Sequence, residues 1–406
     1  ALARLSSEKQ FDAARRITAT LFAGREVIRL QPGIRRGVFG LAVDIGTTSL
    51  VVFLCDLEAA TIVAVRTAAN PQAAYGEDVI SRMTHVQRDI GLLPRLQGMV
   101  VEEISRMAEE LAVEAGIAPE DIVDAVAVGN PTMQHILLGI NPEPLGRGPY
   151  LPVLAAGAQV RAGEIGLRIL RDARVFVLPM MAGYIGGDTL AAVLTRDRDF
   201  YCGNQLLIDV GTNGEVVLAT DGMLTATSCA TGPVYEGAHI RCGVRASPGA
   251  IERTWLDAAG EIACGVIPDP HRRGQTRPVG LCGSGVISAV AALTGAGILR
   301  RDGRVTAGSH AAVRPEESGR GCEVLLVPGR RSATGRDIVL PQGDVRSVQL
   351  GKAALRAGIE LLLRDSGVRR LDRILLAGTF GNHLDPHDIL RIGMVPPVPV
   401  QAIRTI

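Results

Sequence analysis

Two stretches of this 406-residue chain carry residue types that can hold an anion and a metal ion together. In LAVDIGTTSL, Leu41–Leu50, a run of apolar residues ends in Asp-hydrophobic-Gly-Thr, and LLIDVGTNGE, Leu206–Glu215, repeats that order 165 residues later. Each reads as a hairpin with a tight turn, formed by Asp44, Gly46, Thr47 and Thr48 in the first and by Asp209, Gly211, Thr212 and Asn213 in the second. Glycine lets backbone amides approach an anion, hydroxyls donate hydrogen bonds, and a carboxylate at a strand end can hold a hydrated Mg²⁺. Two such turns facing each other would clamp a polyphosphate. A single DxGT turn is usually an ordinary β-turn, whereas the same order twice in one chain is a much stronger signal.

The elements that must position these turns are also repeated. Val38–Asp44, Ser49–Cys55 and Thr61–Ala69 are short, apolar and rich in β-branched residues, which predicts three strands. Leu96–Ala115 has apolar residues at helical spacing with glutamates on the other face. Ile122–Val128 predicts a strand that meets Gly129-Asn130-Pro131-Thr132 and a short helix to Leu138, with Asn130 and Thr132 expected at the site. A Pro/Gly-rich link, Ile140–Gly157, leads to a strand at Val175–Leu178 and a helix at Gly186–Leu194 that carries Asp188 near its start. That order is βββαβαβα.

The second half restarts it with strands at Gln205–Val210, Glu215–Thr220 and Met223–Thr227. An irregular insertion is expected over 228–278, with the sole tryptophan, Trp255. Helices come next at Ser284–Leu293 and Val345–Arg364, separated by an exposed Gly/Arg-rich excursion near residue 320. Strands are expected at Arg373–Ala377 and Val398–Thr405, and the last helix of the pattern is missing. The domains are therefore 38–200 and 201–406, preceded by an entry segment, 1–37, whose amphipathic stretch Glu8–Ala23 packs on the domain after it. A doubly wound dinucleotide fold would place a helix after its first strand, so an internal duplication accounts for the order better. Without an initiator methionine, and ending in PVQAIRTI, the chain is expected to be a fragment at both ends.

Composition narrows the class. A net charge of +1 with 47% hydrophobic residues describes a globular chain and implies neither nucleic acid nor membrane as a partner. The lysines, Lys9 and Lys352, sit in no GxxxxGK[ST] loop, which removes the Walker type of phosphate site. No apolar run approaches a bilayer span and the start lacks a secretory core, so a cytoplasmic location is expected. Seven scattered cysteines without a CxxC pair read as reduced thiols, not as a disulfide framework or an iron–sulfur site. His383 and His387 have metal-ligand spacing, but Asp385-Pro386 between them breaks the helix such a pair needs, and they read as surface residues.

Two βββαβαβα halves that each open with a DxGT hairpin resemble the actin-like ATPase superfamily, an α/β, ribonuclease H-like fold with two duplicated domains around a nucleotide cleft. GEDVISRMTH (Gly76–His85), GNPTMQHILLGI (Gly129–Ile140), GPVYEGAHIRCG (Gly232–Gly243), LCGSGVISAV (Leu281–Val290) and LLAGTFGNHLD (Leu375–Asp385) narrow the resemblance to the ATPase domain of the reductive activators of corrinoid proteins. It implies a chain that uses ATP and Mg²⁺ to help return inactive cob(II)alamin to cob(I)alamin on a corrinoid protein of a methyltransferase system. The electron donor would act through a 2Fe-2S cluster in an N-terminal ferredoxin-like domain, which this chain does not contain. Homodimerisation stays open.

The resemblance also implies roles for single residues. Asp44 and Asp209 are the Mg²⁺-facing carboxylates. Gly46, Thr47, Thr48, Gly211, Thr212 and Asn213 form the phosphate cradle. Gly378 and Thr379 form the adenosine motif, where a small residue lets base and ribose lie on the backbone. Gly283, Ser284 and Gly285 start a helix whose amides could face the nucleotide, next to a Cys282 that reads as a small packed residue. Asp188 stands where the superfamily orients the attacking water, usually with Glu or Gln; the plainer reading is that it caps its helix. Glu236 and His239 lie between glycines in a loop expected near the cleft. A sugar or carboxylic acid kinase of the same superfamily is the alternative function, and a nucleotide-gated scaffold without turnover is a third.

Overall fold

A computed structural model describes residues 16–406 except Glu77, Thr212, Ala238, 271–273, Ser318 and Arg320, together with the side chains of all but Pro233, Glu236 and Thr379 among them. The chain forms two compact units that divide between Thr195 and Arg196.

The first unit opens with a hairpin, β1 (Ile17–Phe22) and β2 (Glu26–Pro32). The amphipathic stretch expected over Glu8–Ala23 is thus a strand where it is described, and its earlier part lies outside the described residues. ITATLF alternates in exposure residue by residue, which is strand period and not helix period. Arg29 pairs with Asp121 at 2.7 Å, and Glu26 with Arg174, so the hairpin is tied to the unit by ions.

Six strands make the sheet of this unit: β3 (Phe39–Ile45), β4 (Ser49–Asp56), β5 (Thr61–Ala69), β6 (Ile122–Gly129), β7 (Ala158–Arg161) and β8 (Arg174–Val177), in the order β5-β4-β3-β6-β8-β7. β3 pairs antiparallel with β4 and parallel with β6. Leu41, Val43 and Ile45 turn inward on one strand and Leu50, Val52 and Leu54 on the next, all of them buried. The 24-residue helix Leu92–Ala115 packs on them with Leu93, Leu96, Val100, Ile104, Met107 and Leu111, a stripe at helical spacing. Gly116, in left-handed conformation at φ 68°, ends it. The short edge strand β7, just after the Pro/Gly-rich link, was not expected because only two of its four residues are apolar.

The second unit repeats the plan. β9 (Asn204–Val210), β10 (Gly214–Thr220) and β11 (Met223–Cys229) form a meander, and its sheet is completed after two smaller ones. β12 (Ala250–Leu256), β13 (Ile262–Val266) and β14 (Gly280–Leu281) form one small sheet, and β15 (Val313–Pro315), β16 (Cys322–Val327) and β17 (Ile338–Pro341) the other. β18 (Arg373–Ala377) and β19 (Ile403–Thr405) then join the main sheet in the order β11-β10-β9-β18-β19. Leaving out the extra edge strand β7, both sheets share one order, third-second-first-fourth-fifth. Each has a long helix before its fourth strand, and Gln342–Asp365 in this unit is also 24 residues long.

Three expectations for this unit are corrected. The insertion 228–278 is not irregular throughout: it contains the β12–β13 hairpin, whose AIERTWL alternates only in part because Glu252 and Arg253 interrupt the apolar run. The stretch around residue 320 is flanked by paired strands, not a plain excursion. Its strands carry Arg314 and Glu323, which periodicity reads as surface. Glu323 is nonetheless buried, since Arg241 and Arg314 each reach it at 2.9 Å and Arg314 continues to Asp337 at 2.8 Å. The last strand is shorter than Val398–Thr405, beginning at Ile403 after a helical turn next to Pro399.

Replacing Glu323 with alanine leaves two arginines converging on an apolar sheet. Both are exposed by about 40%, which discounts the usual cost of breaking a buried ion pair to about 2–3 kcal/mol. Denaturant titration of Glu323→Ala should show a lower midpoint at unchanged slope.

Candidate functional site

In parallel sheets ligands gather at the carboxyl ends of the strands, and both units place their DxGT turns there. In unit 1 the carboxyl ends of β3, β6 and β8 are followed by the Gly46–Thr48 turn, by Asn130, and by the segment leading to the helix Gly187–Leu194 with Asp188. Asp44 faces Val51 of β4 and Val128 of β6 across the ladder.

Three close backbone approaches bring these ends together. A Cβ on Gly46 would stand 2.6 Å from the Ser49 carbonyl oxygen, one on Gly129 2.7 Å from that of Ile45, and one on Gly186 2.1 Å from that of Gly129. No alanine fits at such distances, so the start of the Asp188 helix lies against the end of β6, and β6 against the end of β3. Two half-buried carboxylates come together as a result. Burial and the neighbouring Asp188 charge push Asp44 up to about 7, and burial pushes Asp188 up as well. Asp188 also accepts from the amide of Thr189 at 2.7 Å, so its helix-start role and its place beside Asp44 coexist.

The turn itself is held by side chains from three other elements. Asn70 Nδ2 donates to the Gly46 carbonyl at 2.8 Å, Asn130 Nδ2 donates to Thr47 Oγ1 at 3.0 Å, and Arg82 Nη2 donates to the Thr47 carbonyl. Asn130 also caps the helix Pro131–Leu137 by accepting from the Met133 amide at 3.1 Å. Thr132 is buried in that helix. Asn70 and Arg82 were not singled out from the sequence. Arg82 does lie in GEDVISRMTH, and an arginine in an otherwise short-side-chained helix start is the signal that was available.

Unit 2 places Asp209 opposite Glu215 of β10 and Ala377 of β18. Gly378 has φ +83°, and a Cβ there would meet the Asp209 carboxylate at 2.4 Å. The glycine of the LLAGTF motif is thus required by the chain's own aspartate. Gly211 donates to the Asn213 carbonyl at 3.0 Å, closing the second turn. Thr212 lies outside the described residues, and of Thr379 only the backbone is described, in the short helix Gly378–Gly381.

Gly283, Ser284 and Gly285 begin the buried helix Gly283–Gly295. The glycines have a packing reason: a Cβ on Gly283 would fall 1.7 Å from the Tyr235 carbonyl oxygen, and one on Gly285 2.0 Å from that of Ile251. Cys282 is buried, with Sγ 3.2 Å from the Ile251 carbonyl oxygen and 3.3 Å from Ser284 Oγ. Ser284, Asn382, His383, Leu384 and Thr405 line a cavity of 630 Å³, immediately beyond the Gly378–Gly381 turn. A larger cavity, of 830 Å³ under Trp255, contains none of the expected residues. His239 is exposed at φ +59°, and the Glu236 side chain lies outside the described set. His383 and His387 are both exposed.

Among the described residues no three His, Cys, Asp or Glu side chains are placed to hold a metal ion. Two carboxylates driven together suit a hard cation that keeps waters and takes its other ligands from phosphate, which is the habit of Mg²⁺. The donor set therefore fits Mg²⁺ accompanied by a polyphosphate and does not fit a closed structural metal site.

Comparison with known proteins decides the family. Residues 203–406 match the family model described as the C-terminal domain of RACo, the ASKHA domain, and residues 39–199 match that of the RACo middle region. The chain belongs to the RACo family. It is 32% identical over 396 residues to the corrinoid activation enzyme RamQ of Eubacterium limosum, covering 95% of this chain and 65% of that protein. A Co(II) methylated amine-specific corrinoid protein reductase of Methanosarcina barkeri is 27% identical over 400 residues, covering 88% and 66%. A solved structure, the reductive activator for corrinoid, iron-sulfur protein, superposes with a TM-score of 0.84 at 32% identity over 100% of this chain and 64% of that one. This RACo-family chain has the actin-like ATPase fold, of a nucleotide-binding class, and it spans just under two thirds of the length of the curated relatives it matches. No helix among its described residues is long and apolar enough to cross a membrane.

The raised Asp44 makes a prediction for the protein free of nucleotide and metal. An unfolded aspartate ionises near pH 4, whereas folded Asp44 keeps its proton to about pH 7. Stability should therefore fall as pH rises from about 4 to about 7 and level off above. Asp44→Asn should match the unaltered protein at pH 4 and exceed it at pH 8 by about 1 kcal/mol after discounting for partial exposure, a gain of about 2–4 °C in Tm. Calorimetry at the two pH values checks this, and a Tm difference independent of pH would contradict it.

Proposed function

We propose that this chain is the ATP-dependent part of a reductive activator of a corrinoid protein. It binds Mg-ATP, with Asp44 and Asp209 as the metal-facing carboxylates, and it recognises the corrinoid protein whose cob(II)alamin is to be reduced to cob(I)alamin. The observation that carries the reading is the Asp44–Asp188 pair, two carboxylates raised by burial beside a turn anchored through its carbonyls. Its family membership and the names of its relatives support the redox partner.

When bound, Mg-ATP supplies an electrophilic terminal phosphoryl group and a cation that offsets its charge. Gly46, Thr47 and Thr48, with Gly211, Thr212 and Asn213, offer amides and hydroxyls to the phosphates. Gly378, Thr379 and the Gly283–Gly285 helix start lie on the adenosine side, next to the cavity lined by Ser284 and Asn382. Asp188 accepts a hydrogen bond from water, and burial, which raises its pKa, makes it a better proton acceptor than an exposed aspartate. The single electron for cob(II) comes from a donor through a 2Fe-2S cluster held outside this chain. We place the protein in the cytoplasm, with homodimerisation as a secondary expectation.

Calorimetric titration with a non-hydrolysable ATP analogue and Mg²⁺ should give one site, weakened about 10- to 100-fold in Asp209→Ala. Asp188→Asn should bind as before and lose the phosphate release that an added corrinoid protein stimulates. In the presence of cob(II) corrinoid protein the chain should shift the visible spectrum, and cob(I) should appear only once a reduced ferredoxin-like domain is attached. Phosphorylation of a sugar or carboxylic acid, with every corrinoid spectrum unchanged, would replace this reading with a kinase.

A further inference from the structure

The first phosphate turn rests on a buried cation. Arg82, in the helix Val79–Arg88, is fully buried, and its guanidinium fork spans two backbone carbonyls, with Nη2 donating to Thr47 and Nε to Gly76 at 3.0 Å. Nη1 donates to Gln72 Oε1 at 3.2 Å and lies 3.2 Å from Met133 Sδ. None of these partners is a carboxylate. Asp78, whose charge favours the cation, spends its oxygens on the amide and hydroxyl of Ser81. Burial lowers the Arg82 pKa to about 10, so the group is charged at neutral pH. Among the described residues Arg82 has no ion-pair partner within reach, and a buried charge so placed is costly to keep.

The turn gives a reason to keep it. Its three carbonyls are all taken by donors of the chain: Gly46 by Asn70 Nδ2 at 2.8 Å, Thr47 by Arg82, and Thr48 by the Asn70 amide at 2.9 Å. Among the described residues none accepts from the amides of Gly46, Thr47 or Thr48. In a planar trans peptide the N–H points opposite to the C=O. A donor fixed on the Thr47 carbonyl therefore turns the Thr48 amide the other way, and polarises it toward an acceptor.

We propose that Arg82 is the positioning residue of the first phosphate turn, fixing the Thr47–Thr48 peptide with its amide outward and placing a positive charge one peptide behind the bound anion. The inference rests on the nucleotide reading above and gives that site a part the DxGT motif does not contain. Lysine keeps the charge but not the fork, because one ammonium cannot reproduce the planar geometry that spans Thr47 and Gly76.

The test compares the unaltered protein with Arg82→Met and Arg82→Lys. Hydrogen exchange of the nucleotide-free proteins should show the amides of Gly46–Ser49 exchanging about 10-fold faster or more in Arg82→Met, with the core of β6 unchanged. Affinity for a non-hydrolysable Mg-ATP analogue, per folded molecule, should fall about 10- to 100-fold in Arg82→Met and by less in Arg82→Lys, while adenosine affinity stays within twofold. A purely structural arginine would instead speed exchange throughout unit 1 and leave the analogue affinity of the folded fraction alone, and that result overturns the proposal. If Arg82→Met does not fold, Arg82→Lys decides: analogue affinity and turn exchange both within twofold of the unaltered protein also overturn it. Failure of the unaltered protein to bind the analogue overturns the nucleotide reading and this inference together, whereas normal binding with indifferent variants removes the inference alone.

Discussion

Asp44 and Asp188 repel one another, and unit 1 holds them together all the same. Close backbone packing makes this possible. Gly186 lies on the carbonyl of Gly129 and Gly129 on that of Ile45, where a Cβ would clash, so only glycine at both positions lets the start of the Asp188 helix come this near the end of β3. Most of the first site derives from that constraint. β6 must end in Gly129-Asn130-Pro131 so that Asn130 both caps the next helix and reaches Thr47. The 24-residue helix behind the sheet must be rigid enough to hold the strands against the repulsion, and its continuous apolar stripe supplies that.

The two units share a strand order and a turn, yet they hold their aspartates differently. Asp44 lies beside Asp188, which a connection brings in, whereas Asp209 lies against the backbone of Gly378 and opposite Glu215 of the neighbouring strand. Duplication of a fold preserves the sheet and the position of the turn because these are fixed by register and by strand ends. It does not preserve what stands opposite each carboxylate, because that comes from connections, and the connections differ. Unit 1 reaches β8 through the Pro/Gly-rich link and β7, while unit 2 reaches β18 only after two small sheets and a charged network around Glu323. On the proposed reading both halves serve the metal and the phosphates, while the water falls to the first and the nucleoside to the second.

Legibility in the sequence obeyed the same division. The main-sheet strands and the long helices were readable because their burial is periodic: Leu41, Val43 and Ile45 alternate, and Leu96, Val100, Ile104 and Leu111 recur at helical spacing. The β1–β2 hairpin was not, since ITATLF is half-exposed and its ties to the unit are ions made by residues about a hundred positions away. β16 was obscured by a buried glutamate whose partners lie at Arg241 and Arg314. Asp44, Gly46 and Asp188 were legible as residue types in a pattern. Arg82 and Asn70 were not, because what makes them part of the site is a hydrogen bond to a carbonyl, and a carbonyl leaves no mark in a sequence. Gly378 was legible as a small residue in a motif, but its contact with Asp209 was not, because two strands far apart in the chain bring them together.

A machine that drives an unfavourable electron transfer needs two states that differ in affinity for its partner, and a ligand shifts them only by as much as it binds one better. The carboxylate pair provides such a difference within unit 1. Without a cation Asp44 holds a proton to about pH 7, and a cation beside it would favour its carboxylate form. On the proposed reading that change would pass to the segment that leads into the Asp188 helix. This segment is joined to the loop after residue 145: Met180 donates to the Ala155 carbonyl at 2.9 Å, Tyr184 Oη to that of Leu145 at 2.7 Å, and the Tyr184 and Tyr150 rings lie 5.8 Å apart. The segment leading into the Asp188 helix is thus tied by hydrogen bonds and a ring contact to a surface loop, the route by which the proposed nucleotide-gated partner interaction would act on this unit.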